Sequence, residues 1–155
     1  MYIYGNAQVA FNYTTFFGSR DQAKAVFRTL GITFNPNQGI VVVGLDVSRD
    51  GSNQPESLDP AIGAGSTLQY FPSETVEPQQ FVYVGALPQF GAEITAKSQS
   101  FVTYPNCPVG TSSVMATLTP AAQLKCLLSP GLPSPQVELD FDVSPDSISV
   151  VSYIC

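Results

Sequence analysis

Apolar and polar positions alternate along much of the chain, but one run does not: Gly39-Ile40-Val41-Val42-Val43-Gly44-Leu45-Asp46-Val47 is apolar and β-branched almost throughout. A short valine-rich run without alternation predicts a strand covered on both faces. At about 3.3 Å per residue it would cross roughly 25–30 Å, the width of a small domain, so it is the expected central strand. Elsewhere a period of two dominates. In residues 7–17, Ala7, Val9, Phe11 and Tyr13 share one side, the pattern of a half-buried strand. Val137, Leu139, Phe141 and Val143 alternate with Glu138, Asp140, Asp142 and Ser144 in the cleanest amphipathic strand, which Ser144-Pro145-Asp146-Ser147 turns back into residues 148–154. Further strands are predicted at 32–34, at 67–71 (stopped by Pro72), at 80–87 and at 113–118. Residues 93–96 and 101–104 read as a hairpin joined by Lys97-Ser98-Gln99-Ser100.

Two segments change to helical spacing. Ser19-Arg20-Asp21-Gln22 is a capping box, Ala23, Val26, Phe27 and Leu30 follow on one face, and Gly31 stands where a left-handed C-terminal residue is wanted. Thr119-Pro120 supplies an N-cap and a first-turn proline, with Leu124, Leu127 and Leu128 as the apolar face before Ser129-Pro130-Gly131. Pro105, Pro108 and Gly110 mark an irregular crossing, and residues 48–66 form a polar segment too long for a tight turn. The first helix is expected to cover one face of the central strand, and strands 80–87 and 137–143 the other. Eight to ten strands with two short helices make the fold mainly β, an antiparallel sandwich or barrel in a single domain over residues 1–155, with residues 1–6 as a short docking arm.

Composition narrows the function. Charged residues are 12% of the chain, about half the usual share, and the net charge is −6. The six cations are Arg20, Lys24 and Arg28 on the first helix, then Arg49, Lys97 and Lys125 scattered. A nucleic-acid groove needs clustered cations, so nucleic-acid binding is not expected, and no apolar run reaches the roughly 18 residues of a membrane span. The start, Met-Tyr-Ile-Tyr-Gly-Asn, lacks the basic and apolar regions of a secretory signal, which points to synthesis in a cytoplasm. The three helix cations read first as a solvated face and second as a positive stripe for an acidic partner.

Catalytic chemistry is thinly represented. Histidine is absent, which removes Ser-His-Asp and Cys-His arrangements and histidine metal sites. Cys107, Cys126 and Cys155 form no Cys-x-x-Cys pair; they read as buried thiols plus a terminal one, with a Cys107–Cys126 bridge as the alternative. Gly63-Ala64-Gly65-Ser66-Thr67 lacks the lysine and the following helix of a phosphate loop. Asp140 and Asp142 share a strand face as a glycosidase pair would, but Glu-Asp-Asp on an outer face is more simply a wet, protected edge. Asp46 to Glu56 begins like a calcium loop, yet its glutamate falls one place early and Arg49 intrudes, which favours a metal-free turn. No metal and no cofactor is expected.

In its whole-chain style the sequence resembles bacteriophage capsid decoration or cement proteins, cyanophage ones among them. They are small β-rich virion components with short N-terminal arms and neutral Thr/Ser/Gln-rich surfaces, here with the aromatic start Tyr2-Ile3-Tyr4. The resemblance implies a non-enzymatic protein made in the host cytoplasm and carried on the capsid surface of the virion. There it bridges neighbouring subunits of the major capsid protein, or other virion subunits, as a homo-oligomer or in a symmetric array, without nucleic acid or membrane. The residues expected to make contact are Tyr2, Ile3, Tyr4, Arg49, Asp50 and Phe71. The alternative is a ligand- or carbohydrate-binding β-sandwich module of a tail or surface protein, with exposed tyrosines and the 48–66 loop forming the site.

Overall fold

In the computed structural model, which describes residues 10–11, 19–47, 56–57, 60–74, 79–84, 86–91, 93–126 and 136–154, the valine run is the spine of the larger of two sheets. The elements in chain order are β1 (Ala10–Phe11), α1 (Arg20–Thr29), β2 (Gly39–Val47), β3 (Glu56–Ser57), α2 (Pro60–Gly63), β4 (Thr67–Phe71), β5 (Phe81–Val84), β6 (Leu87–Phe90), β7 (Ser98–Cys107), β8 (Gly110–Thr117), α3 (Pro120–Cys126), β9 (Gln136–Val143) and β10 (Ile148–Ile154). Seven strands form one sheet in the order β1-β10-β2-β7-β5-β6, with β3 beside the end of β2; β4, β8 and β9 form the second. Neither sheet closes on itself, so the fold is a mainly β sandwich and not a barrel.

The central strand is covered on both faces, as the absence of alternation predicts. Val41, Val43 and Leu45 face the interior between the sheets, against Leu68 and Tyr70 of β4, Val114 and Ala116 of β8, and Phe141 and Val143 of β9. Ile40 and Val42 face the other way, into a second cluster with Phe27 of α1, Ile32, Phe81 and Ile148. Each such side chain gains about 1.5–3 kcal/mol on leaving water, which is why no polar residue precedes Asp46 in the run. The layers are therefore helix, seven-stranded sheet, three-stranded sheet. Of the two strands expected opposite α1, β9 lies there, whereas β5 lies in the same sheet as β2, beyond β7.

Helix α1 forms as its ends dictate. The Gln22 amide donates to Ser19 Oγ at 3.2 Å. At the other end Gly31 takes φ +71°, its amide donating to Arg28 O at 3.0 Å and that of Ile32 to Phe27 O at 2.9 Å, the paired bonds of a Schellman cap. Ile32 and Phe27 then share the second core cluster. Helix α3 starts as expected, with the Ala122 amide on Thr119 Oγ1 at 3.4 Å and Pro120 first.

Several expectations are corrected. Among the described strands pairing is antiparallel except between β2 and β10, which run parallel; Ser144-Pro145-Asp146-Ser147 carries the chain from one sheet to the other and forms no hairpin. Residues 32–34 form no strand; the Asn106 side chain holds that backbone instead, its Nδ2 donating to Thr33 O at 2.7 Å and its Oδ1 accepting from the Asn35 amide at 2.9 Å. Residues 93–104 form no hairpin. Glu93 makes a lone bridge to Thr67, a Thr95–Ser98 turn follows, and one ten-residue strand runs on through Pro105. That proline is tolerated because β7 bulges against β2 there, with Asn106 at φ +53°. Residues 80–87 split into the hairpin β5–β6. A third, single-turn helix, α2, sits inside the polar 48–66 segment. Leu124 is 79% exposed, not part of an apolar face, because α3 turns Ala122 inward and a residue two positions on points the opposite way. Leu127 and Leu128 lie outside the described residues.

Candidate interaction surface

Phe71 is the one predicted contact residue among those described; Tyr2, Ile3, Tyr4, Arg49 and Asp50 lie outside them, as does most of the Asp46–Glu56 loop, weighed as a calcium loop and read as a metal-free turn. Phe71 ends β4, where alternation turns Leu68 and Tyr70 inward and Gln69 and Phe71 outward, and it is 43% exposed. Across the sheet it stands in register with Ser113 of β8 and Asp140 of β9, and Gln69 with Met115 and Glu138. Hydroxyls of the middle strand bind the acids: Thr111 Oγ1 donates to Asp142 Oδ1 at 2.7 Å, and Ser113 Oγ to Glu138 Oε1 at 2.9 Å. The outer face of the smaller sheet thus carries exposed Glu138, Asp140 and Asp142 along an edge strand, beside an exposed ring.

Cations collect on the other layer. Arg20, Lys24 and Arg28 lie on one flank of α1, and Arg28 is exposed. Arg20 pairs with Asp146 at 3.0 Å and Lys24 with Asp21 at 3.7 Å. Both cations also lie against the Phe34 ring, 5.4 Å and 5.6 Å from its centroid, so their stems are covered while their heads keep contact with water.

A third surface has no counterpart in the sequence expectations. Strand β6 is the outer strand of the larger sheet, and Leu87 and Phe90 on it are 67% and 59% exposed. They were missed because Phe81 to Leu87 reads as one apolar strand; Gly85-Ala86 followed by Pro88 is the signal for a two-residue turn and an edge. Pro88 stands opposite Tyr83 and has no N–H to offer a further strand, so side chains rather than backbone are what this edge presents.

Among the described residues, Cys107 and the tyrosines of β4, β7 and β10 are buried, and burial holds them protonated at neutral pH. Tyr104 Oη of β7 donates to Leu68 O of β4, and Tyr153 Oη of β10 donates to Val114 O of β8 at 3.0 Å, so both tyrosines span the gap between the sheets. Tyr70 Oη lies 3.1 Å from Ser112 Oγ. Burial pushes all three phenols well above the usual tyrosine range, and Tyr83 up to about 12. Cys107 is a free, buried thiol, its Sγ 3.1 Å from Tyr104 O, so the Cys107–Cys126 bridge is not made; burial pushes it up to about 12. A thiol or phenol held protonated at neutral pH is no nucleophile. Nor do the described tyrosines offer a sugar platform: Tyr70, Tyr104 and Tyr153 are buried, and half-buried Tyr83 packs against Phe81 and Phe101.

Among the described residues no three acidic or cysteine side chains are grouped as metal ligands, and no helix is long and apolar enough to cross a membrane. Comparison of the chain with protein-family models, with curated proteins and with solved structures finds no match.

Proposed function

We propose that the chain is a non-enzymatic structural protein that decorates or cements a virus capsid, bridging neighbouring capsid subunits through apolar side chains on an uncovered sheet edge. The observation that carries this reading is Leu87 and Phe90 standing largely in water on the outer strand β6. Leu87 and Phe90 are three positions apart on β6 and so stand on the two opposite faces of the sheet edge; in a chain with 12% charged residues, apolar side chains flanking one edge suit an edge that a partner clasps when the protein is docked. The reading also draws on the whole-chain resemblance to phage decoration proteins. Phe71 adds an exposed ring on the other sheet.

Sedimentation with expanded, empty capsids tests it. The protein is expected to pellet in saturable, stoichiometric ratio to capsid subunits, and the double variant Leu87→Asp/Phe90→Asp, altered only at exposed positions, is expected to bind at least about tenfold more weakly. A protein that stays in the supernatant while a glycan raises its melting temperature would instead belong to the carbohydrate-binding class.

A further inference from the structure

We infer that the chain associates with a second copy of itself by setting the cationic flank of α1 on the acidic outer face of β9. The two surfaces belong to opposite layers of one molecule, α1 outside the larger sheet and Glu138, Asp140 and Asp142 outside the smaller. Within one copy the flank reaches only the end of that region, through Arg20 and Asp146 in the turn after β9. Between copies the surfaces match in length. Arg20, Lys24 and Arg28 are spaced four residues apart on a helix and span about 12 Å at 1.5 Å per residue. Glu138, Asp140 and Asp142 are spaced two apart on a strand and span about 13 Å at 3.3 Å per residue. Three cations can therefore stand against three carboxylates in step.

The cost of the exchange is small. Both ion pairs of α1 are open to water on at least one partner, and such pairs contribute little, so Arg20 and Lys24 can trade partners while their stems remain on Phe34. The net charge of −6 repels two copies at long range, but at 0.15 M salt screening acts over about 8 Å, which damps repulsion across the body and leaves charges in contact effective. Since the two surfaces differ, the contact is heterologous, and each copy still presents one of each to the next.

Sedimentation velocity of the full chain from about 10 µM to 1 mM checks this, the range in which a weak charge-matched contact becomes visible. Association is expected at 0.15 M salt and is expected to weaken at least about tenfold at 1 M, where the screening length is about 3 Å. Two variants give the specific test: Lys24→Glu/Arg28→Glu and Glu138→Lys/Asp140→Lys, all at surface positions. Each alone is expected to be monomeric, and an equal mixture is expected to associate again, because the second variant keeps a cationic α1 and the first keeps an acidic β9. A monomeric wild-type chain throughout this range would overturn the inference, as would association indifferent to salt or a mixture that stays monomeric. None of these outcomes depends on capsid binding, which rests on β6.

Discussion

Tyr104 and Tyr153 do two things at once, filling the space between the sheets with a ring and tying a backbone carbonyl of the smaller sheet with a hydroxyl. The two contributions separate by mutation. Tyr104→Phe removes the hydrogen bond and keeps the ring, so it is expected to cost about 1 kcal/mol; Tyr104→Ala also opens a cavity and is expected to cost about 3–5 kcal/mol. Urea unfolding of the two variants measures the ratio, and equal losses would show that the hydroxyl contributes nothing. Gly39 illustrates the opposite requirement, an atom that must be missing. A Cβ there would meet Val143 Cγ1 at 2.5 Å and Ser144 O at 2.7 Å, so the end of β9 packs on bare backbone.

At the scale of elements, α1 depends on its two ends. Gly31→Ala is expected to cost about 1–2 kcal/mol, because φ +71° is costly for a residue with a Cβ even though the space around it is open. Ser19→Ala is expected to cost about 1 kcal/mol for the lost cap. In a chain of this size each kcal/mol lowers the melting temperature by about 2–4 °C, within reach of calorimetry. The elements legible in the sequence are those whose burial shows in the pattern of apolar residues, as an unbroken run for β2 and as a period for β4, β9 and α1, together with β10 and the start of α3. Those misread depend on partners distant in the chain. Nothing near residues 32–34 announces that Asn106 will hold their backbone, and Pro105 looks like a strand breaker until β2 is seen to leave room for a bulge. The surface was legible at Phe71 and along β9, where outward positions follow from alternation. It was illegible at Leu87 and Phe90, because exposure there follows from being last in the sheet, a matter of strand order.

For the molecule as a whole, the buried tyrosines and Cys107 set an alkaline limit. An unfolded chain releases protons from cysteine near pH 9 and tyrosine near pH 10, whereas burial makes the folded chain hold them longer. The unfolded state then binds fewer protons, so stability is fully present below those values and falls as pH rises through them, by about 1.4 kcal/mol per pH unit for each such group. Urea midpoints are expected to drop between pH 9 and 11, less steeply in Tyr104→Phe/Tyr153→Phe; a midpoint unchanged to pH 11 would contradict this. The parallel pairing of β2 with β10 has a consequence of another kind. Ile40 stands beside Ile148, so one side of the valine run waits for a partner more than a hundred residues away. A ribosome working at about 5–20 residues per second delivers that partner roughly 5 to 20 s later. For that interval the most apolar strand of the chain has an open edge, and its safe completion is a matter of timing and of what shelters a nascent chain.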